Sequence, residues 1–153
     1  MAGTPGPRAL EGLRAAVLGS TSGIGRAVAL ALAEAGADVI VHGRSSRDAA
    51  ERVAAEIRDL GGRSHVLMAD LADRDAGDRL VAEAWDLWDG LDAWLQIAGA
   101  DTLTGPAARL PFDQKLDRLL AVDVVATLRL CRSVGGGDHA GPLRYRARVR
   151  IGR

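Results

Sequence analysis

A glycine-rich turn between an apolar run and an alanine-rich helical pattern constrains the fold of this 153-residue chain more than any other feature. The turn spans residues 19–25, reads GSTSGIG and follows the apolar run at residues 14–18. Glycines let a backbone approach a ligand closely, and the free N–H groups and dipole of the helix that follows favour negative charge. We therefore predict that this turn binds the pyrophosphate of a dinucleotide. The residues assigned to that contact are Gly19, Thr21, Ser22, Gly23, Ile24 and Gly25.

The rest of the chain alternates between short apolar runs and longer segments with helical spacing. We predict strands at residues 14–18, 38–41, 64–69 and 91–98, and helices at residues 24–35, 46–60, 74–88 and 112–134. Strands that alternate with helices are typical of a parallel sheet covered on both faces. The predicted fold class is therefore α/β, a doubly wound parallel sheet of the Rossmann type with strand order 3-2-1-4. In the last helix the helical period is carried by Leu116, Leu119, Leu120, Val124, Leu128 and Cys131.

Composition limits the classes of protein that fit this chain. Its length suits one domain, and its formal net charge of zero gives no electrostatic argument for binding nucleic acid or a membrane. Cys131 is the only cysteine, which excludes an internal disulfide and a cysteine-based metal cluster. We therefore predict no metal site and a reducing, cytoplasmic location. The N-terminus also lacks the apolar stretch of a signal peptide.

The spacing Gly-x-x-x-Gly-x-Gly, followed by Arg26 and Ala27, resembles the short-chain dehydrogenase/reductase family, whose motif is TGxxxGxG. Leu18 stands where that family usually has threonine. The resemblance covers about residues 10–134, and in outline the chain is similar to 3-oxoacyl-(acyl-carrier-protein) reductases. It implies hydride transfer between a nicotinamide dinucleotide and a small carbonyl or alcohol substrate, in a family that forms homo-oligomers. From the residues alone, two alternatives stay open. One is a glycine-rich turn that binds no ligand, and the other is a non-catalytic dinucleotide-binding or interaction module.

Arg44 follows the second predicted strand and bears on the choice of dinucleotide. A site for NAD(H) places an acidic residue here, on the ribose 2′-hydroxyl. A guanidinium can instead bind a 2′-phosphate through two parallel hydrogen bonds. We therefore predict that NADP(H) is preferred over NAD(H). The alternative is that Arg44 is one more solvated loop arginine.

Two further segments match the family in order and spacing. The pair Asp70 and Leu71, after the third predicted strand, resembles the family pair that flanks the adenine. The alternative for Asp70 is that it caps the next helix. The pair Ala98 and Gly99 corresponds to the segment that lies beside the ribose, although residues 96–97 replace two family asparagines.

Asp123 stands at the family position of a catalytic asparagine that supports a proton-relay water, so the resemblance implies a catalytic role for it. An ionised carboxylate accepts hydrogen bonds but does not donate them. The alternative is a helix-interior acid with no role. The family's later catalytic serine and Tyr-x-x-x-Lys motif cannot be found, because Tyr145 is the only tyrosine and Val149 stands four residues after it.

The chain is predicted to divide into three parts. Residues 1–9 are expected to form a disordered lead-in, residues 10–134 the NADP-binding half of a Rossmann domain, and residues 135–153 an aberrant tail rich in glycine and arginine. We expect that tail to be a truncated or frame-shifted end, which would leave the chain inactive. The alternative for the tail is a basic segment that docks on nucleic acid or an acidic partner.

Overall fold

The computed structural model of the chain describes residues 8–135. In this range four parallel strands form one sheet with the order β3-β2-β1-β4, which confirms the predicted fold class and strand order. The strands are β1 Arg14–Leu18, β2 Asp38–Gly43, β3 Ser64–Met68 and β4 Ala93–Gln96. Residues 1–7 of the predicted lead-in (1–9) and residues 136–153 of the predicted tail (135–153), with Tyr145, lie outside the described residues.

Helices connect the strands and cover both faces of the sheet. They are α1 Gly23–Glu34, α2 Arg47–Asp59, α3 Arg74–Asp86, α4 Phe112–Leu119 and α5 Thr127–Val134, with a π-helical segment at Leu120–Ala126 between the last two. Short 3-10 turns lie at Leu87–Asp89 and Gly105–Arg109. This succession of elements is the predicted alternation of strands and helices.

Two apolar layers form the core, one on each side of the sheet. Val17, Val39 and Val41 pack with the buried faces of α1 and α2. Leu18 and Ile40 point to the other face, where they pack with α3 and α5. Because successive residues of a strand face opposite ways, a strand covered on both sides has to be apolar at nearly every position. This requirement explains the unbroken apolar run before the glycine turn.

Local sequence signals explain where several helices begin and end. Gly36 adopts φ +102°, in the left-handed region that favours glycine, and its N–H group binds the Ala33 carbonyl at 2.9 Å. The side chains of Ser46 and Asp73 cap α2 and α3 by accepting hydrogen bonds from Ala49 and Ala76. Local capping contacts therefore define the end of α1 and the starts of α2 and α3.

The third helix ends two residues earlier than predicted. Trp88 and Asp89 have φ values of +56° and +62°, which terminate the helical conformation before β4. Arg14 holds this turn, since its Nη1 group donates to the carbonyls of Trp88 at 2.9 Å and Asp89 at 3.0 Å. The same guanidinium binds both carboxylate oxygens of Asp92.

The last predicted helix has the expected extent, but the π-helical segment interrupts it. Most of the residues that carry its helical period are exposed in the described structure, including Leu128 at 67%. Ala126 and Leu130 are buried instead. The reason is that α5 contacts α3 along a narrow face, where a Leu130 methyl group approaches Gly77.

Candidate functional site

A cleft of about 500 Å³ opens at the carboxyl ends of the strands. The chain passes from β1 outward to β2 and β3 and then returns to β4 on the other side of β1, so the strand order reverses here. In open parallel sheets, ligands bind at such a reversal. Ten residues assigned to the cofactor from sequence line the cleft: Gly19, Thr21, Ser22, Ile24, Gly25, Arg44, Asp70, Leu71, Ala98 and Gly99. Gly23 and Asp123 do not belong to this lining.

The glycine turn packs against two neighbouring segments that leave no room for side chains. Gly19 has φ +78°, and a Cβ atom on it would lie 2.6 Å from the Cα atom of Ala98. A Cβ atom on Gly25 would lie 2.1 Å from the carbonyl oxygen of Gly19. These two glycines therefore let the turn, the start of α1 and the segment after β4 approach one another. Gly23 differs from these two. Its φ is +53°, and a Cβ atom on it would have nothing within 4 Å.

The N-terminus of α1 has the features of an anion site. Ser22 is the N-cap residue, yet its side chain accepts no hydrogen bond from the helix, and the first turn holds no acidic residue. By contrast, α2 and α3 are capped by side chains and carry Asp48 and Asp75 in their first turns. The first N–H groups of α1 and its positive dipole end are thus left for a ligand in the cleft.

Arg44 lies one residue after β2, at the rim of the cleft and exposed to solvent. Within residues 8–135 no carboxylate forms an ion pair with it. Ser45 and Ser46 follow it in the cleft lining. A guanidinium with two neighbouring hydroxyl groups is a suitable set of donors for a phosphate.

Asp70 and Leu71 form the wall of the cleft beyond β3. The Asp70 carboxylate accepts a hydrogen bond from the N–H group of Ala72 at 3.0 Å. The cap of α3 is Asp73, which accepts from Ala76 at 3.1 Å, so the alternative that Asp70 caps this helix is wrong. Leu71 is buried in the core that faces α3.

Asp123 lies in the π-helical segment and contacts the loop after β4. Its Oδ1 atom accepts a hydrogen bond from the Ala100 N–H group at 2.7 Å. A Cβ atom on Gly99 would lie 3.3 Å from the same oxygen, so the missing side chain at Gly99 lets the carboxylate come close. π-Helical insertions are frequent at functional sites. Asp123 thus holds the loop that forms one wall of the cleft.

The segment that replaces the two family asparagines makes a different set of contacts. The Oε1 atom of Gln96 accepts a hydrogen bond from the indole N–H group of Trp94 at 3.3 Å. Its Nε2 atom is buried and has no partner in the part of the chain that the structure describes. Ile97 lines the cleft beside Ala98.

Sequence reasoning missed His42, which also lines the cleft and is 3% exposed. It is a polar residue near the end of β2, directly after the apolar residues Val39, Ile40 and Val41. That departure from an apolar run is the signal that could have identified it, because a buried polar side chain needs hydrogen-bond partners. Its partners are the glycine turn and the end of β3.

Two kinds of feature are absent from the described residues. No helix among residues 8–135 is long and apolar enough to cross a membrane. The same residues contain no group of three or more His, Cys, Asp or Glu side chains that could hold a metal ion.

The strand order, the cleft at its reversal and the glycine turn before an uncapped helix define an α/β protein of the Rossmann class. A family model described as short chain dehydrogenase matches residues 14–136, which is most of the chain. The chain therefore belongs to the short chain dehydrogenase family.

Individual relatives agree with this membership. A 3-oxoacyl-(acyl-carrier-protein) reductase of Aggregatibacter actinomycetemcomitans is 47% identical over 68 residues, which are 44% of this chain and 28% of that protein. An L-rhamnose 1-dehydrogenase (NAD(P)(+)) of a Sphingomonas species is 35% identical over 116 residues, covering 76% of this chain and 41% of that protein. A short chain dehydrogenase of Burkholderia cenocepacia, solved in complex with NADP, is 35% identical with a TM-score of 0.73, covering 83% of this chain and 51% of that one. The chain thus spans about half the length of this solved relative and less of the two curated ones.

Proposed function

We propose that this chain forms the dinucleotide-binding half of an NADP(H)-dependent oxidoreductase that transfers a hydride between the nicotinamide and a carbonyl or alcohol group. The observation that carries the proposal is the N-terminus of α1, which opens on the cleft through a glycine turn and has neither a side-chain cap nor an acidic first turn. Membership of the short chain dehydrogenase family and the NADP complex of the Burkholderia cenocepacia relative support it.

The lining of the cleft suggests how the dinucleotide is divided among the residues. The pyrophosphate is bound by the N–H groups at residues 19–25, where the helix dipole favours negative charge. The adenine would lie against Asp70 and Leu71, and the nicotinamide half would lie toward Ala98 and Gly99, since these four residues line the same cleft. The bound dinucleotide supplies the hydride, and the chain supplies its binding and orientation.

The preference for NADP(H) rests on Arg44. A 2′-phosphate adds charge and three acceptor oxygens to the ribose, and an arginine can bind two of them at once. Arg44 is available for this contact, since the described residues offer it no competing carboxylate partner. The loop that carries it begins directly where β2 ends.

Asp123 is proposed to position the loop that borders the nicotinamide. Replacing it with alanine removes the acceptor of the Ala100 N–H group, so we expect NADPH affinity to fall about fivefold. Asp123→Asn keeps an oxygen acceptor at the same place and is expected to bind within about twofold of the wild type. Fluorescence titration of the two variants checks this, and equal losses in both would contradict a role based on the accepted hydrogen bond.

Transfer of a hydride to a carbonyl also requires a proton for its oxygen. In the family the resemblance assigns this proton to a Tyr-x-x-x-Lys motif, and the sequence has no such motif around its single tyrosine, Tyr145. We therefore propose that the 153 residues bind the dinucleotide, and that turnover depends on a proton donor that residues 8–135 do not provide.

A direct titration tests the proposed function. The purified chain is mixed with NADPH or NADH, and binding is followed by the fluorescence of the reduced nicotinamide. We expect saturable binding of both with a clear preference for NADPH, because the two share the pyrophosphate and differ at the 2′-phosphate. A folded chain that binds neither dinucleotide at millimolar concentration would refute the proposal.

A further inference from the structure

His42 is the one buried ionisable side chain among residues 8–135. Its ring lies between two loops that both line the cleft. The Nδ1 atom is 3.1 Å from the N–H nitrogen of Gly19, which opens the glycine turn. The Nε2 atom is 3.1 Å from the carbonyl oxygen of Ala69, the residue before Asp70. The imidazole therefore spans the distance between the pyrophosphate side and the adenine side of the cleft.

These two partners determine the form of the ring. An amide N–H group can only donate, so Nδ1 has to accept and carries no proton. A carbonyl oxygen can only accept, so Nε2 has to carry the proton and donate it to Ala69. The ring is accordingly neutral, with its hydrogen on Nε2. A protonated ring would direct an Nδ1–H group at the Gly19 N–H group, and that contact would be lost.

The backbone around His42 makes the arrangement rigid. The Ser20 N–H group donates to the His42 carbonyl at 3.1 Å, and the His42 N–H group donates to the Ser20 hydroxyl at 3.0 Å. That hydroxyl donates in turn to the carbonyl of Val17 at 2.7 Å. Ser20 is fully buried. The turn is thus tied to β2 by the main chain at Ser20 and by the imidazole at Gly19.

We propose that His42 is a positioning residue of the dinucleotide site, whose neutral ring fixes the Gly19 amide relative to the Ala69 carbonyl. The inference rests on the proposed function. It adds a residue that acts through the glycine turn and does not contact the reacting atoms. Its consequence is a coupling between the protonation of one buried side chain and the geometry of the turn that binds the pyrophosphate.

The surroundings of the ring favour its neutral form. Burial lowers the pKa of His42 below its ordinary value of 6.5, while the Ala69 carbonyl and the charge of Asp70 oppose this shift. Asp70 is the charged group that faces the ring from the end of β3. Arg44 lies in the loop directly after β2, and the side chains of the turn at residues 19–22 carry only hydroxyl groups. The contribution of the neutral ring to the free energy of unfolding is complete above pH 6.5. It is lost as the pH falls from 6.5 toward the folded pKa, because the unfolded chain binds the proton at a higher pH than the folded chain does.

Two substitutions separate the contacts of the ring. His42→Asn keeps an acceptor near the position of Nδ1 and gives up the contact with Ala69, whereas His42→Leu removes both contacts. We expect His42→Leu to bind NADP⁺ about tenfold more weakly and His42→Asn to stay within about threefold of the wild type. Circular dichroism establishes that each variant is folded. A folded His42→Leu variant that binds like the wild type would overturn the proposal.

The pH dependence of NADP⁺ affinity is a measurement that a merely structural role of His42 would not change. NADP⁺ affinity of the wild type is expected to fall as the pH drops through the folded pKa of His42, and this phase is expected to be absent in His42→Asn. The 2′-phosphate titrates in both proteins, with a second pKa of about 6, so the difference between the two profiles isolates the ring. Coincident profiles would contradict the proposal.

A measurement without dinucleotide distinguishes failure of this inference from failure of the proposed function. Nitrogen-resolved NMR of the imidazole, assigned by its loss in His42→Asn, is expected to show a protonated Nε2 and an unprotonated Nδ1 near neutral pH. Exchange of the Gly19 amide hydrogen is expected to accelerate in His42→Leu but not in His42→Asn. If these hold while no dinucleotide binds, the positioning of the turn stands and the proposed function fails. A ring protonated on Nδ1 overturns the inference whatever binds.

Discussion

Replacing Gly25 with alanine is expected to reduce NADPH affinity by at least about 100-fold, because the new methyl group would displace the start of α1 from the glycine turn. The added Cβ atom would lie 2.1 Å from the Gly19 carbonyl oxygen and 2.8 Å from its carbonyl carbon. Both are backbone atoms, so no change of rotamer relieves the contact. Titration of nicotinamide fluorescence measures the loss of affinity. Urea unfolding of the same variant is expected to show a free energy of unfolding lower by about 2 kcal/mol.

Gly77 provides a matched control for this substitution. It is also a buried glycine inside a helix, so Gly77→Ala gains the same intrinsic helix propensity of about 1 kcal/mol. A Cβ atom there would lie 3.3 Å from a Leu130 methyl group, which is the far end of a side chain and not a backbone atom. We expect Gly77→Ala to bind NADPH within about twofold of the wild type. If Gly25→Ala also bound like the wild type, the turn would not depend on close contact between Gly19 and Gly25, and the proposed site would lose its basis.

The sheet could be predicted from sequence because its strands are marked by strong local signals. The apolar run of β1 ends at a glycine turn, and the observed strand Arg14–Leu18 has the predicted bounds. The limits of β4 could not be predicted in this way. We expected residues 91–98 and the structure has Ala93–Gln96, because the paired part of β1 ends where Leu18 stands opposite Gln96. Strand length here is set by the partner strand, which local sequence does not reveal.

The last helix shows a second limit of sequence reasoning. Its apolar spacing predicted its extent correctly, but a π-helical insertion depends on the backbone hydrogen bonds of one turn and leaves no clear mark in the period. The insertion matters for the site, because it contains Asp123 at the point where the carboxylate meets Ala100. That contact joins residues 23 positions apart and could be seen only once the sheet and the helix were placed.

The grouping of the candidate residues around one cleft was predictable where it depends on backbone shape. Glycines leave a visible sequence signature, and the cofactor residues assigned from the pattern line one cleft, with Gly23 outside its lining. Side-chain contacts between distant segments were not predictable. His42 contacts Gly19 and Ala69, which lie on different loops, and these come together only through the order of the parallel strands.

Replacing Arg44 with aspartate is expected to reverse the preference between the two dinucleotides. The substitution removes a guanidinium that can bind the 2′-phosphate and places a carboxylate at the end of β2, where it repels that phosphate and can accept a hydrogen bond from a ribose hydroxyl. We expect NADPH affinity to fall about 100-fold while NADH affinity stays equal or rises. Parallel fluorescence titrations with the two reduced dinucleotides measure the change in their ratio.

Arg52 supplies the matched control, since it is an exposed arginine of α2 that does not line the cleft. Arg52→Asp makes the same change in net charge and is expected to alter both affinities by less than about threefold, because charges exposed to solvent are screened over about 10 Å at moderate salt. If the exposed Arg44 binds the phosphate directly, the advantage of NADPH over NADH is also expected to shrink as the salt concentration is raised. If an Arg44→Asp variant still preferred NADPH, Arg44 would not belong to the site. The glycine turn would then be the only part of the proposal that the titrations support.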